Sequence, residues 1–215
     1  MPRDATGPKR SRTQSLYDRI ADIHNLAMKV NGYQRSIASY LRSKDLGIGS
    51  ETLVLDAGSG TGIVTLAVQD AGFDPKCIVS LDLSANSLGI LQDEIRKRRD
   101  HGLRVAAVQG NILTLPFPDG TFDVILMCGV LEYAPLEAGL GEAARVLKHG
   151  ARLVLLPVKP SVVGSVLEVL YNFKTHRPED VRSAAARYFD LVGIDKFPIT
   201  QPIAWSKMIF IFERK

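Results

Sequence analysis

Val54-Leu55-Asp56-Ala57-Gly58-Ser59-Gly60-Thr61-Gly62 is the stretch on which the fold turns. A short apolar run, Thr52 to Asp56, ends in a turn holding three glycines. A helical pattern follows through Val64, Leu66, Ala67 and Val68 and stops at Gly72. Strand, glycine-rich turn and helix in that order form the opening of a βαβ unit. Glycines at such a turn let the backbone approach a ligand closely and take conformations closed to other residues. The spacing is Gly-x-Gly-x-Gly, and Ile63 stands where a dinucleotide fingerprint wants glycine or alanine. No Gly-Lys-Ser/Thr follows, so the loop is not a P-loop. Nothing positive lies near it to meet a phosphate, and Asp56 would repel one. A cationic or zwitterionic ligand without phosphates suits it better. A plain tight turn is the competing reading.

Outward from this unit, strand and helix alternate. Cys77 to Leu83 reads as a second strand. A helix capped by Ser84, Asn86 or Ser87 runs to about residue 100. Leu103 to Gln109 and Phe122 to Cys128 read as the third and fourth strands. Leu136 to Leu147 reads as a helix closing at His149-Gly150, with the glycine as a left-handed cap. Ala151 to Val158 is the fifth strand. The strands are continuous apolar runs, the mark of a parallel sheet covered on both faces. The chain ends in two strand-like runs, Phe189 to Phe197 and Ala204 to Glu213. Their short connection requires antiparallel pairing, because a parallel pair needs a crossover of about a dozen residues.

Composition agrees with one full domain. The chain has 215 residues, 46% hydrophobic and 23% charged, enough to bury about 70% of its unfolded surface without staples. No run reaches the roughly 18 apolar residues of a membrane span. The N-terminus lacks the apolar core of a secretory signal. Two cysteines, Cys77 and Cys128, lie inside apolar runs, which points to a reducing cytoplasm and to small buried residues. The net charge of +4 sits mostly in residues 1–14, where Arg3, Lys9, Arg10 and Arg12 face only Asp4. That tail reads as disordered, and the near-neutral remainder disfavours a nucleic-acid partner. Arg96-Lys97-Arg98-Arg99 ends a helix and complements its dipole. His24, His101, His149 and His176 are scattered, so no metal is expected.

Two further positions carry chemistry. Asp82 ends the second strand, 20 residues past Gly62, where a carboxylate can accept from ribose hydroxyls. Leu83 beside it can pack on an adenine face. A helix N-cap is the alternative for Asp82. Asn111 and Ile112 end the third strand; an amide can bond an adenine edge and isoleucine can cover its ring. The alternative for Asn111 is a polar turn residue.

With these residues the chain resembles the class I S-adenosylmethionine-dependent methyltransferases, and most the branch of ubiquinone and menaquinone biosynthesis methyltransferases. The resemblance covers residues 50–158 well. It rests on Val54 to Gly62, Ser80 to Ser84, Gly110 to Asp123, and Glu142 to Leu153. It implies a Rossmann-like α/β fold with a seven-stranded, mostly parallel sheet, helices on both faces, an antiparallel C-terminal hairpin and an N-terminal helical lid. The domain would span 15–215, with the lid at 15–48 and an acceptor-cap insertion at 159–188.

The resemblance also implies roles. Gly58, Ser59, Gly60 and Gly62 would cradle the methionine part of S-adenosylmethionine, and Asp56 would help hold its ammonium. Asp82 would bind both ribose hydroxyls. Asn111 and Ile112 would contact adenine. Cys128 and Gly129 would face the sulfonium. The product would be S-adenosylhomocysteine. The family usually has aspartate where Asn111 stands, and proline and glycine where His149 and Ala151 stand. Leu126-Met127-Cys128-Gly129 is not the Asn/Asp-Pro-Pro-Tyr signature of amino-directed enzymes, which counts against a nucleobase acceptor.

Methyl transfer from a sulfonium is an in-line displacement that gains most from positioning. A base is needed only where the acceptor must lose a proton. Catalytic candidates are Tyr17, His24, Glu132 and Tyr133, with Lys159, Tyr171 and His176 further out. The family's lid tyrosine favours Tyr17. The apolar stripe Val162 to Phe173, with Leu16, Ile20 and Ile23, suggests a small hydrophobic or aromatic acceptor; the stripe can equally pack on the sheet. Three rivals stay open: a non-catalytic cofactor-binding or scaffold protein, a nicotinamide-dependent oxidoreductase, and a methyltransferase of protein or lipid headgroups. The basic tail leaves peripheral membrane contact open, and the oligomeric state is not legible.

Overall fold

The computed structural model describes residues 32–98, 104–161, 165, 168 and 173–215. Its elements run α1 (Tyr33–Arg42), β1 (Leu53–Ala57), α2 (Ile63–Asp70), β2 (Cys77–Asp82), α3 (Ala85–Lys97), β3 (Val105–Gln109) and β4 (Phe122–Cys128). After these come α4 (Leu136–Val146), β5 (Leu147–Leu156), α5 (Pro178–Ala185), β6 (Phe189–Asp195) and β7 (Ile209–Arg214). Short 3-10 turns occupy Leu131–Tyr133 and Pro202–Trp205. The sheet order is β3-β2-β1-β4-β5-β7-β6. Neighbours from β3 to β5 are parallel, and β7 is antiparallel to both β5 and β6. The seven-stranded, mostly parallel sheet with its antiparallel ending is therefore as the sequence reading has it.

The uninterrupted apolar runs of the strands are explained by burial on both faces. Leu55, Ile125, Met127, Leu153, Leu155, Phe210 and Phe212 point to one side, where Leu140 and Ala144 of α4 and Val181 and Ala185 of α5 cover them. Val54, Val124, Leu126, Val154, Leu156, Ile209 and Ile211 point to the other, under Ile37 and Leu41 of α1 and Val64, Ala67 and Val68 of α2. Successive strand side chains alternate faces, so each strand feeds two cores at once.

Of the segment expected as a lid, residues 33–42 form α1, which packs on α2 in the second core. Gly32 opens this helix with φ 73°. Residues 1–31 lie outside the described residues, and with them the basic tail, Tyr17 and His24. So do Tyr171 and most of the stripe from Val162. Within the expected cap insertion, α5 joins the helical layer beside α4.

One local reading is corrected. His149-Gly150 does not cap a helix. The helix ends at Val146 and the chain passes directly into β5 at Leu147. The extra residues are taken up inside the strand, where the register shifts from Phe122 opposite Leu147 to Val124 opposite Arg152. Gly150, at φ 72°, takes the bend this bulge requires.

Candidate functional site

In a parallel sheet the ligand edge lies beyond the strand C-termini, at the point where strand order reverses. Here that point is between β1 and β4. The glycine loop leaves β1 at it and is fastened to β2 by backbone alone. The N–H groups of Gly58 and Ser59 both donate to the Leu81 carbonyl, at 2.8 and 2.9 Å. Gly62 has φ 89°, and a methyl group there would overlap Leu91; one on Gly58, at φ 77°, would overlap Val130. At Gly60, φ is 53° and the space beside it is open. Two of the three glycines thus permit close packing of the protein on itself, and the third presents bare backbone outward.

Asp82 is aimed at this loop. Its Oδ2 accepts from Gly60 N at 2.8 Å and its Oδ1 from Ser84 N at 2.9 Å. The helix cap is Ser84, whose Oγ accepts from Ser87 N. Asp82 therefore positions the loop, with further lone pairs open to a ligand. Leu83 next to it is 71% exposed, an apolar side chain held out at the ligand edge. Across the edge, Gln109 Nε2 donates to the Leu83 carbonyl. Asn111 is exposed, and its Oδ1 accepts from Leu113 N at 2.9 Å, an Asx turn that leaves its amide NH2 as the group free to turn outward. Ile112 is buried under it.

Asp56 is fully buried. Its Oδ2 takes both the N–H and the hydroxyl of Thr65, and its Oδ1 has no partner. Burial pushes its carboxyl up to about 7, against the pull of the Thr65 bonds. Ser59 Oγ and Thr61 Oγ1 are likewise buried without partners. From Lys44 to Lys76 the sequence holds no Lys or Arg. The loop therefore carries three orphaned polar atoms and acidic character, and unpaired buried groups of this kind call for a partner.

A second cluster lies past the ends of β4 and β5. Glu132 is 5% exposed. Its Oε1 accepts from Val158 N, and its Oε2 is buried with no partner. Lys207 precedes β7 and bridges to Val158, which brings its side chain under Gly129. It too is 5% exposed. A methyl group on Gly129 (φ 68°) would sit 2.7 Å from Lys207 Nζ. Tyr33 of α1 reaches the same place, with its hydroxyl bonded to Ser206 Oγ. Burial opposes the charge of Lys207, but Cys128, Glu132 and Tyr33 around it outweigh that and raise its pKa. Burial also raises the Cys128 thiol and the Tyr33 phenol, so at neutral pH both are uncharged.

Of the residues read from sequence, the structure brings together Asp56, the glycine loop, Asp82 and Leu83 on one side, and Cys128, Gly129 and Glu132 on the other. Tyr133 is exposed and packs edge-on against Phe173. Lys159 Nζ donates to the Ala204 carbonyl at 2.5 Å, and His176 Nε2 meets the Leu131 carbonyl at 3.1 Å. Tyr33, Ser206 and Lys207 were not legible as site residues; the one signal was a lysine inside the apolar run from Ala204 to Phe212. Among the described residues no cluster of His, Cys, Asp or Glu could hold a metal, and no helix is long and apolar enough to cross a membrane.

The fold and this edge define a methyltransferase. Residues 55–155 match the family described as "Methyltransferase domain". The chain is 30% identical over 152 residues to a demethylmenaquinone methyltransferase of Thermus thermophilus, an alignment covering 70% of this chain and 67% of that one. It is 28% identical over 211 residues to one of Bacillus cereus, covering 96% and 87%. A geranyl diphosphate C-methyltransferase from Streptomyces coelicolor, solved with geranyl diphosphate and S-adenosylhomocysteine, superposes with a TM-score of 0.67 at 20% identity, covering 98% of this chain and 86% of that one. The chain belongs to the class I S-adenosylmethionine-dependent methyltransferases. The first of these relatives is spanned over about two thirds of its length. S-adenosylmethionine is the cofactor, and the orphaned atoms of the cation-free glycine loop fit its zwitterionic end.

Proposed function

We propose that this enzyme methylates a small hydrophobic or aromatic molecule seated beyond β4 and β5. The observation that carries this reading is the aromatic surface made by Tyr133 and Phe173 immediately after buried Glu132. An exposed tyrosine ring packed on a phenylalanine beside a buried polar group suits a ligand with an apolar body and one polar handle. Relatives named for demethylmenaquinone and a structural neighbour holding geranyl diphosphate agree in kind.

In this reading Gly60 presents its backbone to the methionine part, Ser59 lies beside it and Asp56 Oδ1 takes the ammonium. Asp82 accepts from the ribose hydroxyls while still holding Gly60 N. Leu83 and Ile112 enclose adenine, and Asn111 bonds its edge through the free NH2. Cys128 and Gly129 line the path between cofactor and acceptor. The bound cofactor supplies a methyl group on a positively charged sulfur. The chain's share is to hold the acceptor in line with that methyl and to exclude water, a positioning effect worth several kcal/mol.

The test is calorimetric titration with S-adenosylmethionine and S-adenosylhomocysteine, followed by transfer of labelled methyl to phenols and naphthols, to peptides and to lipid vesicles. Transfer confined to the aromatic small molecules is expected. Transfer only to peptide or vesicle would overturn the acceptor assignment.

A further inference from the structure

Two polar atoms past the end of β4 make no hydrogen bond among the described residues. Glu132 Oε2 is a buried acceptor without a donor. Lys207 Nζ makes no hydrogen bond or ion pair among the described residues, although the side chain is 5% exposed. The two form no ion pair with each other, although Glu132 favours the charged form of Lys207. Leaving a buried charge without a partner is costly. The packing here maintains both: Glu132 is fixed through Oε1 by the Val158 N–H, and Lys207 is anchored by the bridge to Val158 and admitted by the bare face of Gly129. The same residue, Val158, sets both groups.

A donor with no hydrogen bond among the described residues and an unsatisfied acceptor, both set by Val158, are complementary to a hydroxyl, which accepts one bond and donates another. A carboxylate ligand would be repelled by Glu132, and an amine by Lys207. We propose that Lys207 Nζ and Glu132 Oε2 clamp an acidic hydroxyl, phenolic or enolic, on the methyl acceptor. This rests on the small-molecule reading above. The O–H bond breaks toward Glu132, which takes the proton, and the electron pair stays on the oxygen under the Lys207 ammonium. That pair, on oxygen or on the carbon conjugated to it, forms the new bond to the methyl carbon. The electrons of the broken carbon–sulfur bond return to sulfur. Charge balances: a carboxylate and a sulfonium become a carboxylic acid and a thioether.

The clamp is tested by binding, with the protein saturated in S-adenosylhomocysteine. Calorimetry compares 2-naphthol with naphthalene on wild type, Glu132→Gln and Lys207→Met. Glutamine keeps an oxygen for Val158 N–H and turns the free acceptor into a donor; methionine keeps most of the lysine stem. Wild type should prefer 2-naphthol by about 10-fold or more, the value of hydrogen bonds to charged groups, and both variants should cut the preference to about 2-fold. S-adenosylhomocysteine affinity should stay within about 2-fold throughout. If wild type shows no preference for the hydroxyl, or both variants keep it, the clamp is wrong. If Lys207→Met weakens S-adenosylhomocysteine by about 10-fold, the ammonium serves the cofactor's carboxylate and the proposal is overturned. Failure of wild type to bind S-adenosylhomocysteine at all would instead undercut the cofactor site, a result separable from the others.

Discussion

The two halves of the ligand edge are built by different means. The core of the cofactor half lies within one βαβ unit, from Asp56 to Leu83, and its bonds run between backbone groups, from backbone to Asp82, or from Thr65 to Asp56 nine residues earlier. The acceptor half draws Tyr33 from α1, Cys128 from the end of β4, Glu132 from the 3-10 turn after it, Val158 from just past β5, and Ser206 and Lys207 from the approach to β7. Tyr33 and Ser206 are 173 positions apart. The first half depends on local conformation. The second depends on the sheet order that sets β7 beside β5. Damage to the first should therefore register in folding and cofactor binding, and damage to the second in acceptor binding alone.

The sharpest break of that contrast is Gly62→Val. A β-branched residue at φ 89° is strained, and its side chain would enter the space of Leu91. The two costs together come to about 5 kcal/mol. Denaturant unfolding should show a loss of this order or no folded protein at all. A loss under about 1 kcal/mol would mean that the loop is not held as described.

Next in size is the pH dependence set by Asp56. Its carboxyl stands near 7 in the folded chain against 3.8 as the ordinary value. Burial favours the neutral acid, so folding takes up a proton between these values. The contribution to stability is complete below pH 4 and is lost as pH rises through 7. It amounts to about 4 kcal/mol at most. Without cofactor, wild-type stability relative to Asp56→Asn should fall across that window. Saturating S-adenosylmethionine should flatten the difference, because its ammonium would pair with the carboxylate. A difference independent of pH would show that Asp56 stays charged in the empty protein.

Asp82→Ala then separates the halves directly. It removes the acceptor for Gly60 N and the ribose partner together. S-adenosylmethionine affinity should fall by about 150-fold or more, the equivalent of two bonds to a charged group. Lys207→Met should leave that affinity within about 2-fold. Calorimetry on both variants is sufficient. Equal losses would erase the distinction between the two halves.

The same distinction explains what was legible in the sequence. Strand runs, glycine spacing and Asp82 were readable because their partners are near in the chain or fixed by strand periodicity. The antiparallel ending was read from a short turn at Pro198 to Pro202; the pairing is as expected, but the strands end at Asp195 and resume at Ile209, so the link is longer than that reading assumed. Asn111 was readable as an adenine contact, but the structure commits its oxygen to an Asx turn, so the bond it can offer is a donated one. His149-Gly150 was misread because a glycine after a helix signals a cap, and only the register of β4 against β5 shows a bulge. Tyr33 gave no readable signal, and Lys207 gave only that of a lysine inside an apolar run. Nothing local distinguishes a lysine at a strand entrance from one in solvent until β7 is placed against β5.

The smallest effect falls on the hinge between the halves. Gly129 follows Cys128 at φ 68°, and an added methyl group would lie 2.7 Å from Lys207 Nζ. That atom is the far end of a flexible chain and can retreat, so Gly129→Ala should cost only about 1 kcal/mol, mainly from the left-handed backbone. Its consequence is positional. The ammonium must move away from Glu132 Oε2 while the glycine loop and Asp82 stay in place. Calorimetry should show S-adenosylhomocysteine binding unchanged and the preference for 2-naphthol over naphthalene reduced by about 3- to 10-fold. If cofactor binding falls with it, the turn after β4 belongs to both halves, and the division between local and topological construction stops at Cys128.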